Sequence, residues 1–226
     1  MTRPDHPREQ LILAGERLIA ERGMGVPLRD VAVAAGQRNN SAVQYHFGSR
    51  GGLIEAIIAR RQEPLERQRM MLLAEHEATD AADDVPALLD ILIRPLFDVP
   101  YSQGSTHYAR FLQQVRHHPA VQQTQLGSLQ WPTLRIVMTR LHRALTHLPA
   151  SMRHARLSAM ASVSFTLLAD HEQQTQQPST ETGSTSTDDI ISMLVGLLTA
   201  QPTSDRSALP ASDRSALPAG TATSTP

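Results

Sequence analysis

Apolar residues in this chain recur at helical spacing and almost nowhere alternate. Residues 8–22 (REQLILAGERLIAER) set Leu11, Ile12, Gly15, Leu18 and Ile19 on one face with charges opposite, which predicts an amphipathic helix closed by Gly23. Residues 28–36 (LRDVAVAAG) align Leu28, Val31, Ala32 and Ala35, and then Gly36 ends the helix, since glycine enters the left-handed region at little cost. The polar turn Gln37–Asn40 follows, and a second short helix is predicted over Ser41–Phe47. With Ser49 as N-cap, a long helix is predicted from Arg50 through the 51–77 stretch, led by Leu53, Ile54, Ile57 and Ile58. Pro64 interrupts that pattern, so a kink or break is expected near Gln62–Glu63.

The remainder predicts helices over Val85–Phe97, Ser105–His117, Trp131–His147, Met152–Gln173 and Thr187–Ala200. Pro86 and Pro132 suit first-turn positions, where a missing N–H costs nothing, and Pro95 is expected to bend its helix near the end. No alternating run is bounded by turn residues, so no sheet is predicted and the fold class is all-α. Residues 173–187 are polar and are expected to form a loop. Residues 201–226 are rich in Ser, Ala, Pro and Thr and repeat SDRSALPA at 204–211 and 212–219, which is read as a disordered tail.

Two short helices about a glycine turn make a helix-turn-helix, whose second helix enters the major groove of DNA. The side chains over 28–47 suit that task. Asn39, Asn40 and Gln44 carry amides that match the N6/N7 edge of adenine, and Arg38 matches O6/N7 of guanine. Ser41 and Tyr45 offer hydroxyls to phosphate, and Arg29 reaches backbone phosphate from the first of the two helices. Val43 and Phe47 are assigned to the core, against Leu18, Ile19 and Val31.

Charge sharpens this picture. All 21 basic residues are arginines, and the net charge is −1. Residues 1–62 hold nine arginines against six acids, a surplus of +3, and the rest of the chain carries −4. A basic N-terminal segment ahead of an acidic remainder fits a phosphate-binding head on a body that stays off DNA. The absence of cysteine excludes disulfides, thiolate zinc sites and cysteine nucleophiles. No apolar run nears the roughly 20 residues that span a bilayer, and the polar start MTRPDHPREQ is unlike a signal peptide, so no membrane partner and a cytoplasmic location are expected.

Taken in order, ILAGERLIAERG (12–23), LRDVAVAAG (28–36) and YHFGSRGGLIEAI (45–57) resemble the TetR family of bacterial transcriptional regulators. The resemblance implies an N-terminal three-helix DNA-binding domain over 5–65, a helical-bundle domain for ligand binding and dimerisation over 66–200, and a tail over 201–226. It also places His46 and Arg50 where the family grips the DNA backbone. Two departures stand out. The turn between Gly36 and Tyr45 is one residue longer than the family's usual spacing, and Val26-Pro27 replaces the capping threonine common before the second helix. Such a cap contributes about 0.5–2 kcal/mol. Gly51 and Gly52 weaken the first turn of the long helix by roughly 1 kcal/mol each against alanine.

The body is expected to dimerise and to sense. Small residues between larger ones on Met152–Gln173 let two helices approach closely, so Leu157, Met160, Ala161, Ser164 and Leu168, with Ile190, Leu194 and Leu197 from the last helix, are expected at a two-fold interface. Phe97, Phe111, Trp131, Met138 and Phe165 are the candidates for lining a cavity for a small apolar ligand. No two of the ten histidines stand three or four apart and no HExxH occurs, so no metal site is expected. No GxSxG, P-loop or GxGxxG appears, so neither catalytic residues nor a cofactor are assigned and no enzyme is expected. The expected protein is a homodimeric regulator on double-stranded operator DNA, a repressor released by a small molecule. Its alternatives are an activator or ligand-independent regulator with the same head and, more remotely, a helical-bundle enzyme or ligand-binding protein.

Overall fold

The computed structural model describes residues 7–79, 83–98, 107–125, 130–176 and 186–201, and every regular element among them is a helix. Three helices form the head: α1 (Pro7–Arg22), α2 (Leu28–Ala34) and α3 (Ala42–Phe47). Each ends at a glycine with positive φ, at Gly23, Gly36 and Gly48. At Gly36 the N–H groups of Gly36 and Gln37 close back onto the carbonyls of Val33 and Ala32, so the glycine both stops α2 and satisfies its last carbonyls. Pro27 precedes α2 and makes no side-chain cap, as its lack of a polar side chain requires.

The long helix α4 (Arg50–Ala78) begins at Ser49, whose hydroxyl accepts from the N–H of Gly52 at 3.0 Å. It continues unbroken through Pro64, so the expected break near Gln62–Glu63 is absent. Tertiary packing on both sides of the proline, from Leu65 as well as Ile57 and Ile58, holds the helix across the missing hydrogen bond.

The body consists of α5 (Val85–Ile93), α6 (Pro95–Asp98), α7 (Tyr108–Val115), α8 (Pro119–Gln125), α9 (Pro132–Ala144), α10 (Ala150–Gln176) and α11 (Thr187–Thr199). The single helix expected over 85–97 is two, because Pro95 cannot donate to Ile91 and starts a new turn after Arg94. The α8 helix was not predicted from sequence: PAVQQTQ has only Ala120 and Val121 as apolar residues, so it carries no amphipathic stripe. Helix α10 extends to Gln176, into the segment expected as a loop, while residues 177–185 and the tail from 202 lie outside the described residues. Ser186 and Asp189 cap α11 reciprocally.

Two large apolar clusters organise these helices. One gathers Leu11, Ile19, Val31, Val43, Ile54 and Ile57 of the head with Tyr108, Phe111, Leu112, Val115 and Val121. The core of the head therefore includes α7 and α8, from well beyond position 65. The second cluster joins α5, α9 and α11 around Leu88, Leu89, Val137, Leu141 and Leu194.

Charged side chains tie distant helix ends together. Glu66 of α4 accepts from the N–H groups of Thr133 and Leu134 at the start of α9. Glu172 of α10 accepts from those of Ala109 and Arg110 at the start of α7. Both carboxylates occupy the positive end of a helix. Between α1 and α4, Arg61 grips Glu16 through two hydrogen bonds of 2.7 and 2.6 Å, and the Glu16 side chain is only 3% exposed. Removing one partner of such a pair strands a buried charge. Glu16→Ala is expected to destabilise the protein by about 3–5 kcal/mol in urea unfolding.

Candidate nucleic-acid interface and the cavity behind it

Helix α3 is short, and its buried positions set its orientation. Ala42 and Val43 enter the head core, with Val43 fully buried, and Phe47 packs against the same cluster beneath the guanidinium of Arg8 (5.3 Å). Pinning this face turns Gln44 and Tyr45 outward. Tyr45 is 83% exposed, the most exposed large apolar side chain among the described residues, and its ring meets His46 edge-on at 5.0 Å. Arg38, Asn39, Asn40 and Ser41 are exposed on the turn that leads into α3, and His46 is half-buried.

The longer turn has an internal purpose. Asn39 accepts through its side-chain oxygen from the N–H of Ser41 (2.9 Å) and through its carbonyl from that of Ala42 (3.0 Å). The side-chain oxygen that adenine's N6 amine would need is therefore engaged in starting α3. Gln37 bonds Gln10 of α1 at 3.2 Å and so ties the turn to the head. Arg29 has a side chain 75% exposed, 3.5 Å from Asp30. Arg50, at the first position of α4, holds a buried Nη1 with no hydrogen-bond partner among the described residues.

The junction of α3 and α4 is tight. A Cβ on Gly52 would stand 2.1 Å from the carbonyl oxygen of Phe47, whereas one on Gly51 meets nothing closer than 3.5 Å. The glycine at 52 is thus a steric requirement for the close approach of the two helices, beyond its propensity cost.

Behind the head lies a cavity of about 910 Å³, lined by residues of every helix from α4 to α10. Of the aromatic and large residues expected to face a ligand, Met138 and Phe165 line it. Phe111 is fully buried in the head cluster and stacks with Tyr108, Trp131 belongs to the second cluster, and Phe97 packs edge-on against His171. Sequence reasoning missed Gln62 and Arg69, both buried and both on the cavity wall. Their neighbours in α4 are mostly charged, so they read as a solvated face, yet Ile54, Ile58, Gln62, Leu65, Arg69 and Leu73 form one helical stripe. Burial pulls the Arg69 guanidinium down to about 10.

The helices expected to dimerise show their faces clearly. Met160, Ser164, Leu168, Ile190 and Leu194 are buried within the chain, and Leu157, Ala161 and Leu197 are half-buried. The larger apolar residues turn into the bundle, Met160, Ile190 and Leu194 into the second cluster and Leu168 against Ala109 of α7. The outward stripe comprises Ala155, Ala159, Val163 and Thr166 of α10 with Met193 and Gly196 of α11.

Residues 90–200 match the family model described as the tetracyclin repressor-like C-terminal domain. The chain belongs to the TetR family of transcriptional regulators. A solved structure from Rhodococcus sp., described as a candidate TetR-family transcriptional regulator, is 18% identical with a TM-score of 0.46, over 85% of this chain and 96% of that one. No curated protein matches the chain. The family model covers most of the cavity wall but not the part that α4 supplies, Ile58, Gln62 and Arg69, and the head is described by its own geometry. Among the described residues no helix is long and apolar enough to cross a membrane.

The steric contrast at the start of α4 is measurable. Gly52→Ala is expected to destabilise this TetR-family chain by about 1–3 kcal/mol, because the Phe47 carbonyl must shift. Gly51→Ala is expected to be neutral or to stabilise by up to about 1 kcal/mol through helix propensity. Paired urea titrations compare the two.

Proposed function

We propose that this TetR-family regulator is a homodimeric repressor that reads operator DNA through α3 and its preceding turn and leaves the operator when a small molecule fills the cavity. The observation that carries the DNA-binding part is the exposure of Gln44 and Tyr45 on a helix whose other face is locked into the head core. A short helix that holds an aromatic ring 83% in solvent, flanked by amides and arginine, suits base edges and phosphates. Arg29, Arg38, Asn40, Ser41, His46 and Arg50 serve as the surrounding contacts, and Asn39 serves first as the start of α3. The repressor sense is supported by the description of the matching family model.

The sensing part is supported by shared walls. Ile58, Leu112 and Val121 belong to the head core and also line the cavity, so a ligand there presses on side chains that set the head's position. DNA and ligand each favour one arrangement of the same α4, and linkage requires that each weaken the other. Dimerisation is proposed through the outer stripe of α10 and α11. A Cβ on Gly196 would meet nothing within 4 Å, which leaves room for a partner helix, and Val163 and Met193 are 37% and 47% exposed. Two heads on a two-fold axis read a palindrome that one head cannot specify.

Genomic footprinting with the purified full chain identifies the operator, and gel-shift titration on it then tests the contacts. Gln44→Ala and Tyr45→Ala are each expected to weaken operator binding by about 1–3 kcal/mol, with the melting temperature unchanged because both side chains are exposed. Unchanged affinity and an unchanged salt slope in both variants would show that α3 is not the reading helix. Val163→Arg is expected to yield monomers in sedimentation and to abolish palindrome binding while single helices stay folded by circular dichroism.

A further inference from the structure

The cavity carries a charge pattern that a plain apolar pocket lacks. Leu96, Leu134, Met138 and Phe165 contribute apolar wall, and among the described lining residues there is no aspartate or glutamate. Four arginines line it: Arg69, Arg116, Arg135 and Arg143. The last three are solvent-exposed and so stand at the mouth, whereas Arg69 is 3% exposed and so belongs to the closed end.

Arg69 has only neutral partners. Its Nε and Nη2 donate to the carbonyl of Leu92 (3.3 and 3.2 Å), and Nη1 donates to Oε1 of Gln62 (3.0 Å). A guanidinium has five N–H donors, so one on each terminal nitrogen is left over. No carboxylate of the described residues lies within 4.0 Å of it. Glu66, the acid that acts on it electrostatically, is committed to the N-terminus of α9. A buried cation without a counter-ion is costly, and an anion that enters the cavity relieves that cost.

We propose that the ligand is an amphipathic carboxylate: its acid group pairs with Arg69, its apolar body lies along Leu96, Leu134, Met138 and Phe165, and the arginines at the mouth draw it in. This deepens the sensing part of the function proposed above and rests on it. The acid group is also the end of the ligand that the head senses. Arg69 holds Gln62, Gln62 reaches the Tyr108 hydroxyl at 3.5 Å, and the Tyr108 ring lies under Arg61, which grips Glu16 of α1. A carboxylate that competes for Nη1 of Arg69 loosens the first link of that chain.

The test uses the full chain and three probes of equal tail length below their micellar concentrations: dodecanoate, dodecanol and dodecylammonium. Binding is followed by calorimetry and by the fluorescence of Trp131, the single tryptophan. Dodecanoate is expected to bind at least about tenfold tighter than dodecanol, and dodecylammonium not to bind. Arg69→Met is expected to weaken dodecanoate about 10- to 100-fold while changing dodecanol less than about threefold, and Arg69→Lys, which keeps the charge without the fork, falls between. Should Arg69→Met fail to fold, the lysine variant and the three-probe comparison on the unmodified chain still decide. Equal binding of dodecanoate and dodecanol, or no binding of dodecanoate, overturns the assignment. If dodecanoate binds through Arg69 but leaves the operator complex intact, the ligand class stands and release by ligand falls.

Discussion

The structure depends on one helix that serves two cores at once. The first half of α4 gives Leu53, Ile54, Ile57 and Ile58 to the head, and its second half gives Leu73 to the body. Between them runs a buried polar seam: Arg61 on Glu16, Gln62 toward Tyr108, and Arg69 on Gln62 and Leu92. Polar groups in such a place are costly unless each finds a partner, so the seam admits few arrangements of α1, α4, α5 and α7. That restriction fixes α4 against both cores at once.

The same logic recurs at helix ends. Every helix leaves unpaired N–H and C=O groups, and here several are met by side chains from distant parts of the chain. Glu66 caps α9, Glu172 caps α7, Arg69 meets the end of α5, and Arg156 donates to the Leu198 carbonyl near the end of α11 at 2.7 Å. Local capping residues would let each helix form alone. Long-range caps bind the ends of α9 and α5 to α4, so a shift of α4 against either would leave buried helix-end groups unpaired.

Much of the architecture was legible in the chain because its signals are local. Helical periodicity, glycine stops at 23 and 36 and the serine cap at 49 depend on neighbours within a few positions. The exposure of Gln44 and Tyr45 followed from the burial of Val43, one step along the same short helix. What was not legible depends on partners far away. The α8 helix has too few apolar residues to announce itself and is held by Val121 in a core built mainly by the head. On α10, small and large residues interleave on every side, so periodicity alone could not say which stripe turns inward; the cluster of α5, α9 and α11 claimed Met160, the contact with Ala109, Leu96 and Phe97 claimed Leu168, and Ala159 and Val163 were left outside.

By itself the sequence determined that the regular elements of this protein are helices, that a glycine-centred pair of short helices stands near its N-terminus, and that positive charge is concentrated there, because these follow from residue type and short-range spacing. Only the tertiary structure decided that the core of the head closes over α7 and α8, that Gly52 must be glycine, and that Arg69, one of 21 arginines in the chain, sits buried on a cavity wall with no acid of the described residues in contact with it. The first and the last are contacts between segments far apart in the chain; Gly52 faces the Phe47 carbonyl only five residues back, but how closely α4 approaches α3 is set by the core that both helices share, and no local pattern encodes it.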